Sequence, residues 1–263
     1  MKIATFNINS INAHIDNLTS FLQHEQPDIL LLQEIKSEFN TFPFFELQTL
    51  GYDAKIVGQK SYNGVAVISR HKIKITQESL PEFDKDNARY IEADIAINNQ
   101  VYRVASIYLP NGNPPYNNPD DTSKFDYKLQ WMQHFYNHAA FLLNLQQPVI
   151  LGGDFNVIMA PQDVYDSEAF KNNALFRPEV RQRLRAFSLL GYFDSFRTLH
   201  PNDNGYTFWD YSGAALQNDL GMRIDYLFMN SYAFDKLINT EVNKTPRLQP
   251  KPSDHTVLQA ILK

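Results

Sequence analysis

The sequence predicts an α/β fold in which two packed, mixed β-sheets are covered by helices. Three observations carry that reading. Strand-like runs rich in β-branched and aromatic residues recur at 3–7, 29–33, 65–69, 90–97, 101–109, 149–154, 224–229 and 257–262, with helical patterns between them. The runs at 90–97 and 101–109 flank Asn98-Asn99-Gln100, the signal of an antiparallel hairpin, which argues against a Rossmann-type parallel sheet. Finally, four short polar clusters lie at the ends of apolar runs, so the strands bring carboxylates, amides and an imidazole to one sheet edge.

Taken in chain order, the first run ends at Asn7, and 15–23 is a short helical candidate. The run 29–33 is continuously apolar and stops at Glu34, as expected of a buried strand. In 127–145 the apolar residues at 129, 132, 135, 136, 139, 142 and 143 keep the spacing of one buried helical face. The stretch 178–190 opens with Pro178, suited to a first helical turn, and stops at Gly191. Between them 111–123, dense in Asn, Pro and Asp, is expected to be a surface loop. No linker or repeat divides the chain, so 1–263 is read as one catalytic domain.

Composition excludes several classes. A hydrophobic content of 43%, with 19 Phe and 14 Tyr, can fill a sizeable core. No apolar run approaches the roughly 20 residues that span a bilayer, and the N-terminus enters a strand pattern with no signal peptide ahead. The absence of cysteine excludes a disulfide framework and thiolate ligands. The expectation is a soluble cytoplasmic protein without a membrane partner. A net charge of −5 is unusual for a nucleic-acid binder, but Glu34, Asp154, Asp225 and Asp254 belong to the candidate site, where a divalent cation would offset them. Candidate basic contributors are Lys36, Lys60, Lys124, Arg177, Arg223, Lys244, Arg247 and Lys251, most of which fit solvated faces equally well.

Each cluster has a chemical and a structural reading. Glu34 closes a run too apolar to hold an acid without a cation, either a metal or an ion-pair partner. Lys36, if the strand continues, points to the opposite face and is not that partner. Mg²⁺ takes oxygen ligands, commonly one or two protein carboxylates, so Glu34 helped by Asn9 or Asp254 suffices. In Gly152-Gly153-Asp154-Phe155-Asn156 the glycines allow a tight turn or a close neighbour. Asp154 and Asn156, two apart, project to one side in extended geometry, where one handles a water proton and the other donates to a phosphoryl oxygen. The alternative is an Asx turn after a core strand. Asp225 is available to fix one nitrogen of His255, leaving the other free for a phosphate and favouring the protonated ring. Asn7 either caps a strand end or holds Asp154 or the phosphate. Together the residues suit metal-dependent attack of water on a phosphate ester.

On these residues the chain resembles the exonuclease III family of apurinic/apyrimidinic endonucleases, within the endonuclease/exonuclease/phosphatase superfamily. The likeness runs from Phe6-Asn7-Ile8-Asn9 through Leu32-Gln33-Glu34-Ile35-Lys36, Tyr62-Asn63-Gly64-Val65, Ile107-Tyr108-Leu109-Pro110-Asn111-Gly112, Tyr127-Lys128-Leu129 and Tyr206-Thr207-Phe208-Trp209 to Ser253-Asp254-His255. It implies a four-layered α/β sandwich, two packed mixed β-sheets flanked by helices, with the site at one end. By resemblance Glu34 is the principal metal ligand, with Asn9 and Asp254 nearby, and the cofactor is Mg²⁺, with Mn²⁺ able to substitute. Asp154 orients or deprotonates the attacking water and Asn156 positions it. Tyr108, Asn7, Asn111 and His255 contact the scissile phosphate, with Asp225 orienting His255. Tyr62 joins the substrate contacts, and Phe208, Trp209, Met222 and Ile224 wall a small apolar pocket that takes a baseless sugar and rejects a normal base.

The implied activity is incision of double-stranded DNA 5′ to abasic sites, with 3′-to-5′ exonuclease and 3′-phosphatase capacity, by a monomer. The alternative is a paralogue acting mainly on 3′ ends. A phosphatase of inositol or lipid phosphates is disfavoured because Tyr108 stands where such enzymes generally carry a second histidine. A scaffold without activity is disfavoured by the intact acids. Three departures touch affinity: Ser10-Ile11-Asn12 lacks the arginine many relatives have, His14 replaces a commonly basic position, and Pro114-Pro115 leaves no cation where some relatives meet DNA.

Overall fold

The structure, a computed structural model, describes residues 1–83, 85–114 and 118–263. Its strands are, in order, β1 (Lys2–Asn7), β2 (Ile29–Gln33), β3 (Asp53–Val57), β4 (Val65–Ser69), β5 (Ile73–Gln77) and β6 (Tyr90–Ile97). They continue as β7 (Gln100–Tyr108), β8 (Val149–Asp154), β9 (Phe193–Asp194), β10 (Asp225–Met229), β11 (Leu237–Asn243) and β12 (Val257–Leu262). The α-helices are α1 (Ile15–Glu25), α2 (Phe44–Thr49), α3 (Ser123–Leu142), α4 (Pro178–Leu189), α5 (Ser195–Leu199) and α6 (Ser231–Phe234). Two six-stranded sheets result, ordered β11-β12-β1-β2-β4-β3 and β5-β6-β7-β8-β10-β9. Both are mixed, since β1–β2 and β7–β8 pair parallel and the other pairs are antiparallel.

Alternation along the central strands makes the layers. In β2, Ile29 and Leu31 enter the core between the sheets, while Leu30 and Leu32 face a second core with Leu18, Phe21 and Leu22 of α1 and Leu47 of α2. In β8, Ile150 points between the sheets, and Val149 and Leu151 pack with Trp131 and Phe135 of α3 and Phe187 of α4. Strands buried on both faces read as continuous apolar runs, which is the pattern of 29–33 and 149–151. The order helix, sheet, sheet, helix is the expected four-layered sandwich.

Most elements fall where the sequence puts them. The hairpin turns through Asn98 and Asn99, both left-handed (φ 50° and 65°), joining β6 to β7 in antiparallel register. The helix expected over 127–145 starts earlier, at Ser123, and finishes in a 3₁₀ turn at Leu143–Leu145. The paired glycines serve a close approach and not a tight turn: both lie inside β8, and a Cβ on Gly153 would stand 1.9 Å from the Ile107 carbonyl oxygen of β7. Pro115 lies outside the described residues, as does part of the expected loop. Among the described residues no helix is long and apolar enough to cross a membrane.

Candidate active site

Strand register assembles the site at one end of both sheets. In the second sheet Asp154 pairs with Tyr108 on one side and Asp225 on the other, so three adjacent strands end in these side chains. In the first sheet Asn7 pairs with Gln33, which places Glu34 just past the end of β2. Asn7 joins the sheets: its amide donates to Glu34 Oε1 at 2.9 Å and to Asp154 Oδ2 at 3.0 Å. Ser106 Oγ makes a second crossing, accepting from Gln33 Nε2 and donating to the Leu32 carbonyl.

Backbone strain gathers here. Asn9, Ser10, Glu34, Lys36 and Asn156 all have φ between 47° and 92°, a region costly for residues other than glycine at about 1–3 kcal/mol each. Asn156 is therefore not extended, contrary to the expectation. Its backbone N–H donates to Asp154 Oδ1 at 2.9 Å in an Asx turn, and that same turn returns its amide to Asp154 Oδ2 at 3.2 Å. The structural and chemical readings of this motif are one geometry.

His255 is buried, with Nδ1 at 2.8 Å from Asp225 Oδ2 and Nε2 at 3.9 Å from Asp154 Oδ2. An ionised carboxylate only accepts, so Nδ1 donates. Thr207 Oγ1 donates to the same Asp225 oxygen at 2.6 Å. Burial alone disfavours the charged ring, but the Asp225 carboxylate more than offsets it, and the His255 pKa rises to about 10. Burial also lifts Asp154; the His255 charge opposes this and the Asp225 and Glu34 carboxylates add to it, leaving the pKa at about 7. A carboxylate poised near neutrality can take a proton from a bound water. Tyr108 is held as a neutral phenol, first by burial and then by the charges of Glu34 and Asp154.

Of the two partners that its position called for, a metal or an ion-pair cation, Glu34 has the second. Burial works to raise its carboxyl, but the Asn7 amide and the Lys36 ammonium outweigh that and hold it below its ordinary range. Lys36 Nζ lies 2.9 Å from Glu34 Oε2, which corrects the expectation that Lys36 faces away. The strand does not continue: with Glu34 and Lys36 both left-handed, side chains two apart turn to the same side. Lys36 Nζ also donates to Asn9 Oδ1, and Asn9 Nδ2 donates to Asp254 Oδ1 at 3.1 Å, so one chain of hydrogen bonds links Glu34, Asn9 and Asp254. Among the described residues no three His, Cys, Asp or Glu side chains cluster as a metal site. Two carboxylates and an amide oxygen still fit Mg²⁺, which leaves its other positions to water and substrate.

A cleft of about 400 Å³ opens over these groups, lined by Glu34, Tyr108, Asn111, Asp154, Asn156, Asp254 and His255 on its polar side. Phe208, Met222 and Ile224 supply an apolar wall, with Phe208 set edge-on to His255 at 5.0 Å. Three expected substrate contacts are elsewhere. Asn7 is wholly buried with its amide donating to Glu34 and Asp154, so it holds the two acids and does not line the cleft. Trp209 is wholly buried against Tyr206 and Ala215, its indole N–H donating to Asp219, because successive residues of an extended segment face opposite ways. Tyr62 is 71% exposed and does not line the cleft. Of the candidate cations, Arg223 is buried between Asp163 and Asp194, and Arg247 is buried with a bond to the Trp209 carbonyl.

With this geometry in place, comparison with known proteins is decisive. The profile of the endonuclease/exonuclease/phosphatase family matches residues 4–255. The chain belongs to that family. It is 27% identical to exodeoxyribonuclease III of Haemophilus influenzae over the full length of both proteins. Among solved structures, an AP endonuclease from Archaeoglobus fulgidus is 32% identical, with a TM-score of 0.92 over 100% of this chain and 99% of the other. The 3′-5′ exonuclease NExo from Neisseria meningitidis is 33% identical, with a TM-score of 0.92 over 100% of both chains. This member is a hydrolase of the exonuclease III and AP-endonuclease type.

Some working residues were not singled out from the sequence. Thr207 fixes Asp225, and its only signal was its place in Tyr206-Thr207-Phe208-Trp209. Ser253 donates to the Asn7 carbonyl and accepts from the His255 N–H, tying the last strand to the first. Lys128 is wholly buried and donates to the carbonyls of Asn111, Asn156 and Ala174. Its signal was available: a lysine four residues before Met132 and seven before Phe135 sits on the apolar face of α3. Phe170, Asn173 and Leu175 of the cleft lie in a segment without periodicity.

Proposed function

We propose that this protein is a Mg²⁺-dependent DNA-repair phosphodiesterase that cuts duplex DNA 5′ to abasic sites and also removes 3′-terminal groups. The observation that carries this reading is Asp154, a buried carboxylate with a pKa near 7, held by Asn7 and Asn156 and faced by charged His255. Asp154 accepts the proton of the attacking water as the water oxygen bonds to phosphorus and the P–O3′ bond breaks. The 3′ oxygen leaves as the terminal hydroxyl of the upstream strand after taking a proton from solvent. His255, kept protonated by Asp225, and the neutral Tyr108 phenol donate to the phosphoryl oxygens, as does the Asn111 amide. Glu34, Asn9 and Asp254 would hold Mg²⁺, or Mn²⁺ in its place, which when bound stabilises charge developing at phosphorus. Phe208, Met222 and Ile224 receive the sugar, and a nucleotide without a base leaves the stack at low cost. A monomer working in the cytoplasm completes the reading.

The second reading is an enzyme acting mainly at 3′ ends. It is favoured by the Neisseria protein, one structure of which is described as a 3′ phosphatase bound to product DNA hairpin, at 32% identity. A single experiment separates the two. A duplex with a central abasic-site analogue and a 3′-phosphate is incubated with Mg²⁺ or with EDTA. Rapid Mg²⁺-dependent incision immediately 5′ to the analogue supports the first reading. Loss of the terminal phosphate or 3′ shortening, with the analogue uncut, supports the second and removes the sugar pocket from the account.

A further inference from the structure

Lys36 is a cation fixed to oxygens that the proposed function assigns to a metal. Its Nζ lies 2.9 Å from Glu34 Oε2 and donates to Asn9 Oδ1. Asn9 in turn reaches Asp254 Oδ1 through its amide nitrogen at 3.1 Å, so one ammonium organises the whole donor set. The backbone holds this arrangement. Asn9, Glu34 and Lys36 are all left-handed, at φ 47°, 50° and 49°. Ile35 N–H and Lys36 N–H donate to the carbonyls of Gly64 and Asn63, and Ser10 N–H donates to the Glu34 carbonyl at 2.7 Å. Gly64 lies against Ile35 so closely that a Cβ there would stand 2.4 Å from Ile35 Cγ1, so only glycine fits beside this segment.

Electrostatics gives the arrangement a purpose. Glu34, Asp154, Asp225 and Asp254 crowd one strand end, and His255 is committed to Asp225 and Asp154. Glu34 is mostly buried and needs a positive partner at all times. We propose that Lys36 is a resident cation that keeps Glu34 and Asn9 assembled and yields those oxygens to the divalent ion used in catalysis. Ion binding is then an exchange of one cation for another, and the released ammonium is left beside the cleft. The proposal rests on the metal assignment made under the proposed function.

The test measures Mn²⁺ binding to the intact protein without DNA, by the electron paramagnetic resonance signal of free Mn²⁺. Wild type is compared with Lys36→Met, Lys36→Arg and Glu34→Gln, each checked for folding by circular dichroism. Losing the internal competitor is expected to tighten Mn²⁺ binding about fivefold in Lys36→Met, the upper range for a partly exposed ion pair. Lys36→Arg is expected to stay near wild type. Independently, the ¹⁵Nζ resonance of Lys36, assigned by its absence in Lys36→Arg, is expected in wild type and lost to rapid exchange as Mg²⁺ is added. Unchanged or weaker binding in Lys36→Met, or a Lys36 resonance that persists at saturating Mg²⁺, overturns the exchange while Glu34→Gln still abolishes binding. If Glu34→Gln binds Mn²⁺ like wild type, the metal assignment itself fails, a different and recognisable outcome.

Discussion

Replacing Lys128 by Met is expected to loosen three site loops at once. The Lys128 ammonium donates to the carbonyls of Asn111 at 2.9 Å, Asn156 at 2.6 Å and Ala174 at 3.1 Å. Only a fully protonated amine satisfies three acceptors, although burial pulls the group down to about 7, with the Asp154 charge opposing that shift. Methionine fills the same channel and donates nothing. Three orphaned carbonyls cost roughly 1–3 kcal/mol each, about 6 kcal/mol together. Sparing the fold a buried ammonium returns several kcal/mol of that. The net loss is about 2–3 kcal/mol, or a fall in Tm of roughly 5–10 °C. Asn111 and Asn156 carry side chains into the cleft, so small displacements are expected to lower kcat/KM by about 10²-fold. Urea denaturation and steady-state incision of a defined DNA duplex measure the two effects. A variant within about 0.5 kcal/mol of wild type, with kcat/KM within twofold, would mean that Lys128 does not hold these loops.

Other substitutions and pH give separate checks. Gly153→Ala sets a Cβ 1.9 Å from the Ile107 carbonyl oxygen between two parallel strands, so a loss of more than about 3 kcal/mol is expected in denaturant melts. The folded pKa of His255 is raised from 6.5 to about 10, so between those values the folded chain holds a proton that the unfolded chain has released. The stability from this pair is complete below pH 6.5, declines by up to about 1.4 kcal/mol per pH unit above it, and is lost beyond about 10. Asp225→Asn is expected to flatten that decline in urea melts at several pH values; an undiminished slope would disprove the assignment. Phe208→Ala is expected to lower kcat/KM at least about tenfold, and Trp209→Phe to lower Tm while leaving kcat/KM within about twofold. Equal kinetic losses would mean that both rings face substrate.

The buried parts of the fold were legible and its margins were not. Strands β1, β2, β4, β6, β7, β8, β10 and β12 were found because burial on one or both faces writes apolar runs into sequence. The four strands without a prior signal, β3, β5, β9 and β11, are the four sheet edges. Edges take polar residues such as Asp53, Lys55, Lys74, Asn239 and Glu241 and carry little apolar pattern. At the site, Asn7, Glu34, Asp154, Asp225 and His255 were legible as a group because strand register carries polar residues at the ends of apolar runs to one sheet edge. Lys36 and Asn156 were misplaced because an extended backbone was assumed where φ is positive. Trp209 was misjudged because motif membership says nothing about which way a side chain turns. Lys128 was passed over because a lysine on a helix is ordinarily read as solvated.

Phosphodiester hydrolysis at the strand-end cluster depends on Asp154. That dependence is tested most directly by Asp154→Asn, which keeps the shape and hydrogen-bond reach of the side chain and removes its basicity. On duplex DNA with a single abasic-site analogue and Mg²⁺, kcat is expected to fall about 10²–10⁴-fold with an unchanged circular dichroism spectrum. A correctly folded Asp154→Asn protein that cuts at the wild-type rate would contradict it.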